Sequence, residues 1–387
     1  MTKTISARQL SLLGFVSTFA LKLTILPSLL YGEIGVDALL LVCFSLAFDF
    51  IEFFVIYYLL KRNENISFAT FLEKTFGKVF GKVILLCFFA YFFFKFLILA
   101  IAGFDYARFA IFKNAPLYLF LFIILAISSS LVLFKSKAIG RTAEFFYPII
   151  AFFFILFFFV AILTASLQDL RPLLTSGAGA FFSTYFKFLV VGGNYIFMLF
   201  FMGKIKFGEK PLKTLVPHLL FGVGVVIIFF CLYYSIFRFT AVAHPNAISE
   251  LIQFVPLPSI LGDFNWFAVS LMLLLFCLQG GVYMFCGCYS LTKIMNFRKQ
   301  EKDWLVELSV FLFNALVVGI VYGFFTSFQK LKLVVVDSLY VPILSAVIMA
   351  MPILFFIIEL AKKEEKTPKK LKLGKYVLKE ANYEKDF

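Results

Sequence analysis

The chain has 387 residues, 62% of them hydrophobic and only 15% charged, with 58 Phe and a formal net charge of +14. So large an apolar share excludes a water-soluble globular domain and indicates an all-α polytopic membrane protein, because helices satisfy their own backbone groups inside a bilayer. The excess of Lys and Arg is in such a chain first a signal of loop orientation.

Ten stretches are predicted to span the bilayer, about 20 apolar residues being the usual requirement. They are Leu10 to Leu30, Ala38 to Leu60, Val83 to Ala102, Leu117 to Phe134, Thr142 to Ala165, Phe182 to Met202, Leu215 to Phe237, Phe267 to Leu291, Leu305 to Phe324 and Leu339 to Leu360. The leader MTKTISARQL runs straight into a full-length span without a small-residue cleavage site, so no removable signal peptide is expected. With the N-terminus inside, 27 of the 36 Lys and Arg fall on cytoplasmic segments, 6 outside and 3 within spans. That asymmetry supports an even number of spans with both termini in the cytoplasm. Residues 1–361 are then expected to form a single transmembrane domain, and 362–387 a lysine-rich cytoplasmic tail.

Charges at membrane depth are the candidates for function, since each costs roughly 2.5 to 3.5 kcal/mol to insert. Lys22 lies in the middle of the first span, beside Thr24 and Pro27. Asp49 and Glu52, three residues apart on one face of the second span, are placed to receive Lys22 or Lys95 of the third. A buried ion pair is one reading; the other makes Lys22 or Lys95 a substitute for a coupling cation or a contact for a carboxylate ligand. The stretch Ser67 to Lys78 has near-helical apolar spacing and is expected to lie as a short helix along the inner surface. Glu144, at the cytoplasmic end of the fifth span, is either a solvated group or a relay, and Lys187 is near enough to the outer end of the sixth to snorkel.

Gly192, Gly193 and Asn194 mark the sixth span as a break point, matched five spans earlier by the stretch from Ala20 and Leu21 through Lys22 and Thr24 to Pro27. In transporters built as inverted repeats, such paired interruptions hold solute near the midplane. Gln279, Gly280, Gly281 and Tyr283 make the eighth span close-packed and partly polar.

All six Cys fall inside spans, which implies no disulfide or metal framework, and no cofactor is expected. Two His without a second ligand at metal spacing, and no GxSxG, Walker or Rossmann pattern, speak against an enzyme. The lysines of the tail alternate with acids, a pattern for lipid headgroups rather than for nucleic acid.

Several motifs in order resemble the spore-germination permeases, the B-type subunits of germinant receptors. They are ISARQL from Ile5, LPSLL from Leu26, FLEKTFGKVFGKVILL from Phe71, GRTAEFFYPII from Gly140, DLRPLL from Asp169, and the stretch from Asp263 into YSLTKIM. The resemblance implies the amino acid, polyamine and organocation transporter fold: ten helices in a five-plus-five inverted repeat, LeuT-like. It also implies a receptor assembled with an A-type membrane subunit and a C-type lipoprotein, which senses a small nutrient such as an amino acid at the inner membrane of a bacterial spore. Carried over by position, the pocket would be lined by Ala20, Leu21, Lys22 and Thr24, by Gly192, Gly193 and Asn194, and by parts of spans three and eight, where Lys95 and Tyr283 are the candidates; Asp49, Glu52 and Glu144 are, from the residues themselves, candidate ion-pair or relay groups. Two positions depart from the family's habit: Lys22 stands in a stretch that usually contains glycine, and Asn194 where an acid is common. Lys22 would then fill the pocket or bind a different anion. A free-standing proton- or sodium-coupled amino-acid transporter is the alternative.

Overall fold

The computed structural model describes residues 4–110, 116–166, 170, 174–254, 264–295, 303–323 and 338–361. The tail, Asp263 and most of the DLRPLL motif lie outside the described residues. Among the described residues, seven helices are each long and apolar enough to cross a membrane. Three further spans complete ten: a 17-residue helix and two that are interrupted.

The first span begins at Ala7 with a capping box, in which Ser6 and Gln9 exchange side-chain and backbone hydrogen bonds and so satisfy the free N–H groups of the first turn. It continues as α1 (Ala7–Val16), α2 (Ala20–Leu23) and α3 (Leu26–Ile34). The first interruption follows from side-chain competition for backbone acceptors: Ser17 donates to the Leu13 carbonyl at 2.5 Å and Thr18 to that of Gly14 at 2.8 Å. The second falls at Thr24, after which Pro27 sits in the first turn of α3, where its missing N–H costs nothing. The interruption expected over the stretch from Ala20 to Pro27 is thus two breaks, one on either side of α2.

Spans two to five are α4 (Ala38–Arg62), α5 (Phe68–Ala110), α6 (Leu117–Leu133) and α7 (Lys135–Ile162). α5 is much longer than the predicted third span because it includes the segment expected to lie along the surface. That segment is helical and is turned off the span at Gly77, whose φ of 81° is left-handed. Phe68 and Phe71 anchor it to the bundle against Phe355.

Span six is α8 (Gly177–Lys187), a single 3-10 turn over Leu189–Val191, extended backbone at Gly192, and a second 3-10 stretch over Ile196–Phe201. Then come α9 (Pro211–Phe237), a short α10 (Ala247–Phe254), α11 (Phe264–Met295), α12 (Asp303–Gly323) and α13 (Tyr340–Ala361). Of the seven long helices, α5 and α11, spans three and eight, are the most enclosed, and they pack most extensively on each other. Close approach of α11 to its neighbours depends on small residues: a Cβ on Gly280 would lie 3.0 Å from Ser128 Oγ, and one on Gly281 2.7 Å from Leu131.

Both ends of the interrupted pair are tied. At the end carrying the N-terminus, Ile5–Ser6 (β1) pairs in parallel with Ile205–Lys206 (β2), and Arg8 and Gln9 reach Glu144 at 3.6 and 3.0 Å. At the opposite end Asp37 accepts hydrogen bonds from the Leu174 and Ser176 N–H groups and from the Ser176 hydroxyl. Lys187 is ion-paired with Glu33 at 2.5 Å rather than extended alone to an interface. The segment after α9 also closes over span one there, with the Ala247 N–H on the Thr24 carbonyl at 3.0 Å and the Ser28 hydroxyl on that of Val242 at 3.1 Å.

Candidate substrate site at the paired helix breaks

Unwinding a helix inside a bundle exposes backbone donors and acceptors that must be satisfied from elsewhere. In span six the Gly193 N–H is accepted by Asp49 Oδ1 at 2.8 Å, and Asp49 Oδ2 accepts the Asn194 side-chain amide and Lys22 Nζ, the latter at 3.3 Å. One carboxylate of span two therefore joins the interruptions of spans one and six, with Lys22 3% and Asp49 0% exposed. Gly193 requires its residue type twice over. Its φ is +63°, and a Cβ would lie 2.6 Å from the Tyr91 hydroxyl.

Lys95 does not pair with either acid. Its Nζ donates to the Gly192 carbonyl at 2.6 Å and lies 5.0 and 5.4 Å from the ring centres of Tyr91 and Tyr283. The carbonyl freed by the break is thus capped by an amine from span three, with a second, longer bond from the Tyr91 hydroxyl at 3.4 Å. The ring faces contribute about 2 kcal/mol or more where the cation is desolvated.

Glu52 shares the helix face of Asp49 but not its contacts. It is fully buried, and neither carboxyl oxygen has a hydrogen-bond partner among the described residues. The expectation that it receives a lysine is corrected: Lys22 is held by Asp49 and Lys95 by the Gly192 carbonyl, so no ammonium reaches it within hydrogen-bond distance. Glu144 lies away from this cluster, held by Arg8 and Gln9 near the N-terminal end, which makes it a latch between spans one and five.

Span eight contributes through Gln279, whose amide nitrogen bonds the Ser17 carbonyl at 2.9 Å and the Tyr283 hydroxyl at 2.5 Å. It thereby satisfies the first interruption of span one as Lys95 satisfies that of span six. Thr24 turns its hydroxyl back to the Ala20 carbonyl at 2.7 Å, and Ala20 and Leu21 are packed in the core. Of the residues expected at the site, Lys22, Lys95, Gly192, Gly193, Asn194, Tyr283 and Asp49 are brought together. Tyr91 joins them without having been expected, and so does Gln279, which the sequence marked as part of a close-packed, partly polar span eight. Tyr91 had a signal, four residues before Lys95 and so on the same helix face.

What adjoins Lys22 is a cavity of about 20 Å³ between spans one, two and six, walled by Leu26, Leu30, Leu41, Val42, Ser45, Tyr185, Phe188, Val191 and Gly192. About 10–15 Å³ of such space holds one water. The two ends are tied as described above, and at the centre Lys22, Asp49, Lys95, Gly192, Gly193 and Asn194 bond one another, while the Glu52 carboxyl, among the described residues, stays outside these bonds. A larger cavity of about 60 Å³ lies near the N-terminal end, bordered by Lys135, Lys204, Tyr289, Thr292 and Asp303.

Ten spans, interrupted in the first and sixth and joined at those interruptions by buried polar side chains, define an integral membrane protein of the permease type. The chain belongs to the family described as spore germination protein, whose profile matches residues 4–319. Among solved structures it is similar to MhsT in complex with L-phenylalanine, with a TM-score of 0.58 and 14% identity over 89% of this chain and 88% of that one. At that identity the likeness is one of fold, the LeuT-like five-plus-five arrangement. No curated protein matches.

Proposed function

We propose that this chain is the permease-fold membrane subunit of a spore germinant receptor, which binds a small nutrient, an amino acid by preference, near the bilayer midplane. The observation that carries this reading is the closed polar knot at the two breaks. Asp49 holds the Gly193 N–H and Lys22, while Lys95 holds the Gly192 carbonyl. Each of these bonds is a protein substitute for a contact that a carboxylate or an amine of a ligand would make. A ligand that exchanges with them shifts the balance between closed and open forms in proportion to its preference for one form, which is the physical requirement for sensing. The A-type membrane subunit and the C-type lipoprotein implied by the family would read that shift, in the spore inner membrane, with the N-terminal end and the tail 362–387 in the cytoplasm. No catalytic role and no cofactor belong to this reading.

Thermal stability of the purified protein across a panel of amino acids and sugars tests it. Phenylalanine is a sensible first probe, given what MhsT binds. A saturable rise with one class of solute, lost in Lys95→Met, supports the reading; no response to any nutrient, together with normal germination of spores carrying Lys95→Met, would sink it.

One observation favours a second reading, a free-standing proton-coupled transporter. Among the described residues Glu52 is a buried acid without a hydrogen-bond partner, and such a group is suited to carry a proton across the centre. Proteoliposomes with an imposed proton gradient distinguish the two: gradient-driven amino-acid uptake by the isolated chain, abolished by Glu52→Gln, establishes transport.

A further inference from the structure

The segment that closes over span one at the end remote from the N-terminus contains a histidine bonded to a carboxylate. α9 ends at Arg238, whose φ of 50° turns the chain into a 3-10 stretch over Arg238–Ala243, and His244 leads on to α10. His244 Nδ1 meets Glu250 Oε2, and the other oxygen, Oε1, accepts the Asn246 N–H at 3.3 Å. The Glu250 N–H returns to the Asn246 carbonyl at 3.1 Å, which completes the first turn of α10. The next residue after Asn246, Ala247, gives its N–H to the Thr24 carbonyl at 3.0 Å. Thr24 ends α2 at the second break of span one, so a carbonyl left over by that break is capped from this segment. The Ser28 hydroxyl on the Val242 carbonyl fastens the other side.

The charges around the pair are few. From α9, the Tyr233 hydroxyl bonds the Ala241 and His244 carbonyls at 2.7 and 2.6 Å, Tyr234 bonds the Pro27 carbonyl at 2.9 Å, and the Phe237 ring lies 4.2 Å from that of His244. From α3 come Tyr31, packed on Tyr234, and Glu33, which Lys187 holds. The first turns of α11, Phe264 to Phe276, carry no titratable side chain. Arg238 is the other charged residue of the segment itself. The side chains of His244 and Glu250 are 31% and 11% exposed, so solvent protons reach the ring while the carboxylate is largely shielded. Histidine gains or loses its proton between about pH 5 and 8. A neutral ring can still donate to a carboxylate, but a bond between two charged groups is the stronger and shorter kind.

We propose that His244 and Glu250 are a proton-operated latch on this segment, which acts as a lid over span one. With His244 protonated, the ion pair fixes the first turn of α10 and thereby keeps the Ala247 N–H on Thr24. Loss of the proton weakens the pair, loosens that turn and uncaps the second break. Lower pH therefore favours the closed lid and higher pH its opening. The latch rests on the fold and on these contacts, whatever solute the paired breaks receive.

Hydrogen exchange of the full-length purified protein, read by mass spectrometry and corrected for the intrinsic effect of pH, tests it at about pH 6 and about pH 8, on either side of the ordinary histidine range. Amides of residues 245–254 should exchange about two- to fivefold faster at the higher pH, the range expected of a partly exposed pair. Those of α5 and α11 should not change, which also reports that each variant is folded. In His244→Gln and in Glu250→Gln, which keep hydrogen-bonding groups but not the ion pair, the difference between the two pH values should disappear. Equal corrected rates at both pH values in the unaltered protein, or a pH difference that persists in both variants, would overturn the latch. Nutrient binding followed by thermal shift at one pH is a separate readout, so the receptor reading stands or falls independently.

Discussion

Replacing Asp49 by Asn is the most informative single change, because the carboxylate serves three donors at once. Asn keeps one acceptor for the Gly193 N–H at 2.8 Å, but it presents its own amide hydrogens to Lys22 and the Asn194 side chain, donor against donor. Breaking one side of a buried pair costs about 3–5 kcal/mol, most of it for the ammonium left behind. Lys22→Met alone should cost less, about 1.5–3 kcal/mol, since Asp49 keeps the Gly193 N–H and Asn194. In the double variant no charge is stranded, and what is lost is the charge-assisted part of the bond to Gly193. The two changes should therefore be non-additive by about 2–3 kcal/mol, with the double variant no worse than Asp49→Asn alone. Thermal unfolding of the four proteins in one detergent and one buffer, compared as midpoints, reads this coupling directly. Strictly additive shifts would refute the idea that Lys22 and Asp49 act as one unit, and with it the assignment of Asp49 as the link between the two interruptions.

Three further outcomes follow from other parts of the structure. Gly193→Ala combines a left-handed φ with a Cβ 2.6 Å from the Tyr91 hydroxyl, so it should lower stability by about 2–3 kcal/mol or more, visible as a reduced unfolding midpoint and reduced accumulation in the membrane. Gly77→Ala meets nothing within 4 Å, so only the backbone strain of about 1–2 kcal/mol should appear, and a larger loss in the same assay would mean that the bend is also tightly packed. Glu144→Gln should change stability by less than about 1 kcal/mol, because the Arg8 contact is long and the Arg8 side chain is 58% exposed. The same variant should leave the germination response intact; its loss would restore a relay role to Glu144.

Much of the architecture was legible from the chain alone, because a bilayer leaves the backbone few options. Where about 20 apolar residues run together, a helix is the form that satisfies every amide, so hydropathy placed the spans near their observed limits, the third excepted, which runs on to Ala110. Adjacent glycines followed by Asn194, and Pro27 after Thr24, likewise announced where spans six and one lose helicity, since these residue types weaken or cannot continue the hydrogen-bond ladder. Lys22 and Asp49 could be matched as opposite charges at similar depth for the same reason: neither is tolerated there unpartnered.

What the chain alone left open was which group each partner would choose. Lys95 was as well placed by depth to meet Asp49 or Glu52 as to meet a backbone carbonyl 97 positions further on, and it takes the Gly192 carbonyl. Glu52, one turn from Asp49 and of the same charge, has no hydrogen-bond partner among the described residues. The same holds for Gln279 on the Ser17 carbonyl and for Ala247 over Thr24, contacts made between residues far apart in the chain. Helix formation is a local event decided over a few turns of one segment. The identity of a polar partner depends on the depth, rotation and approach of two helices packed side by side, and those are settled only when all ten close against one another.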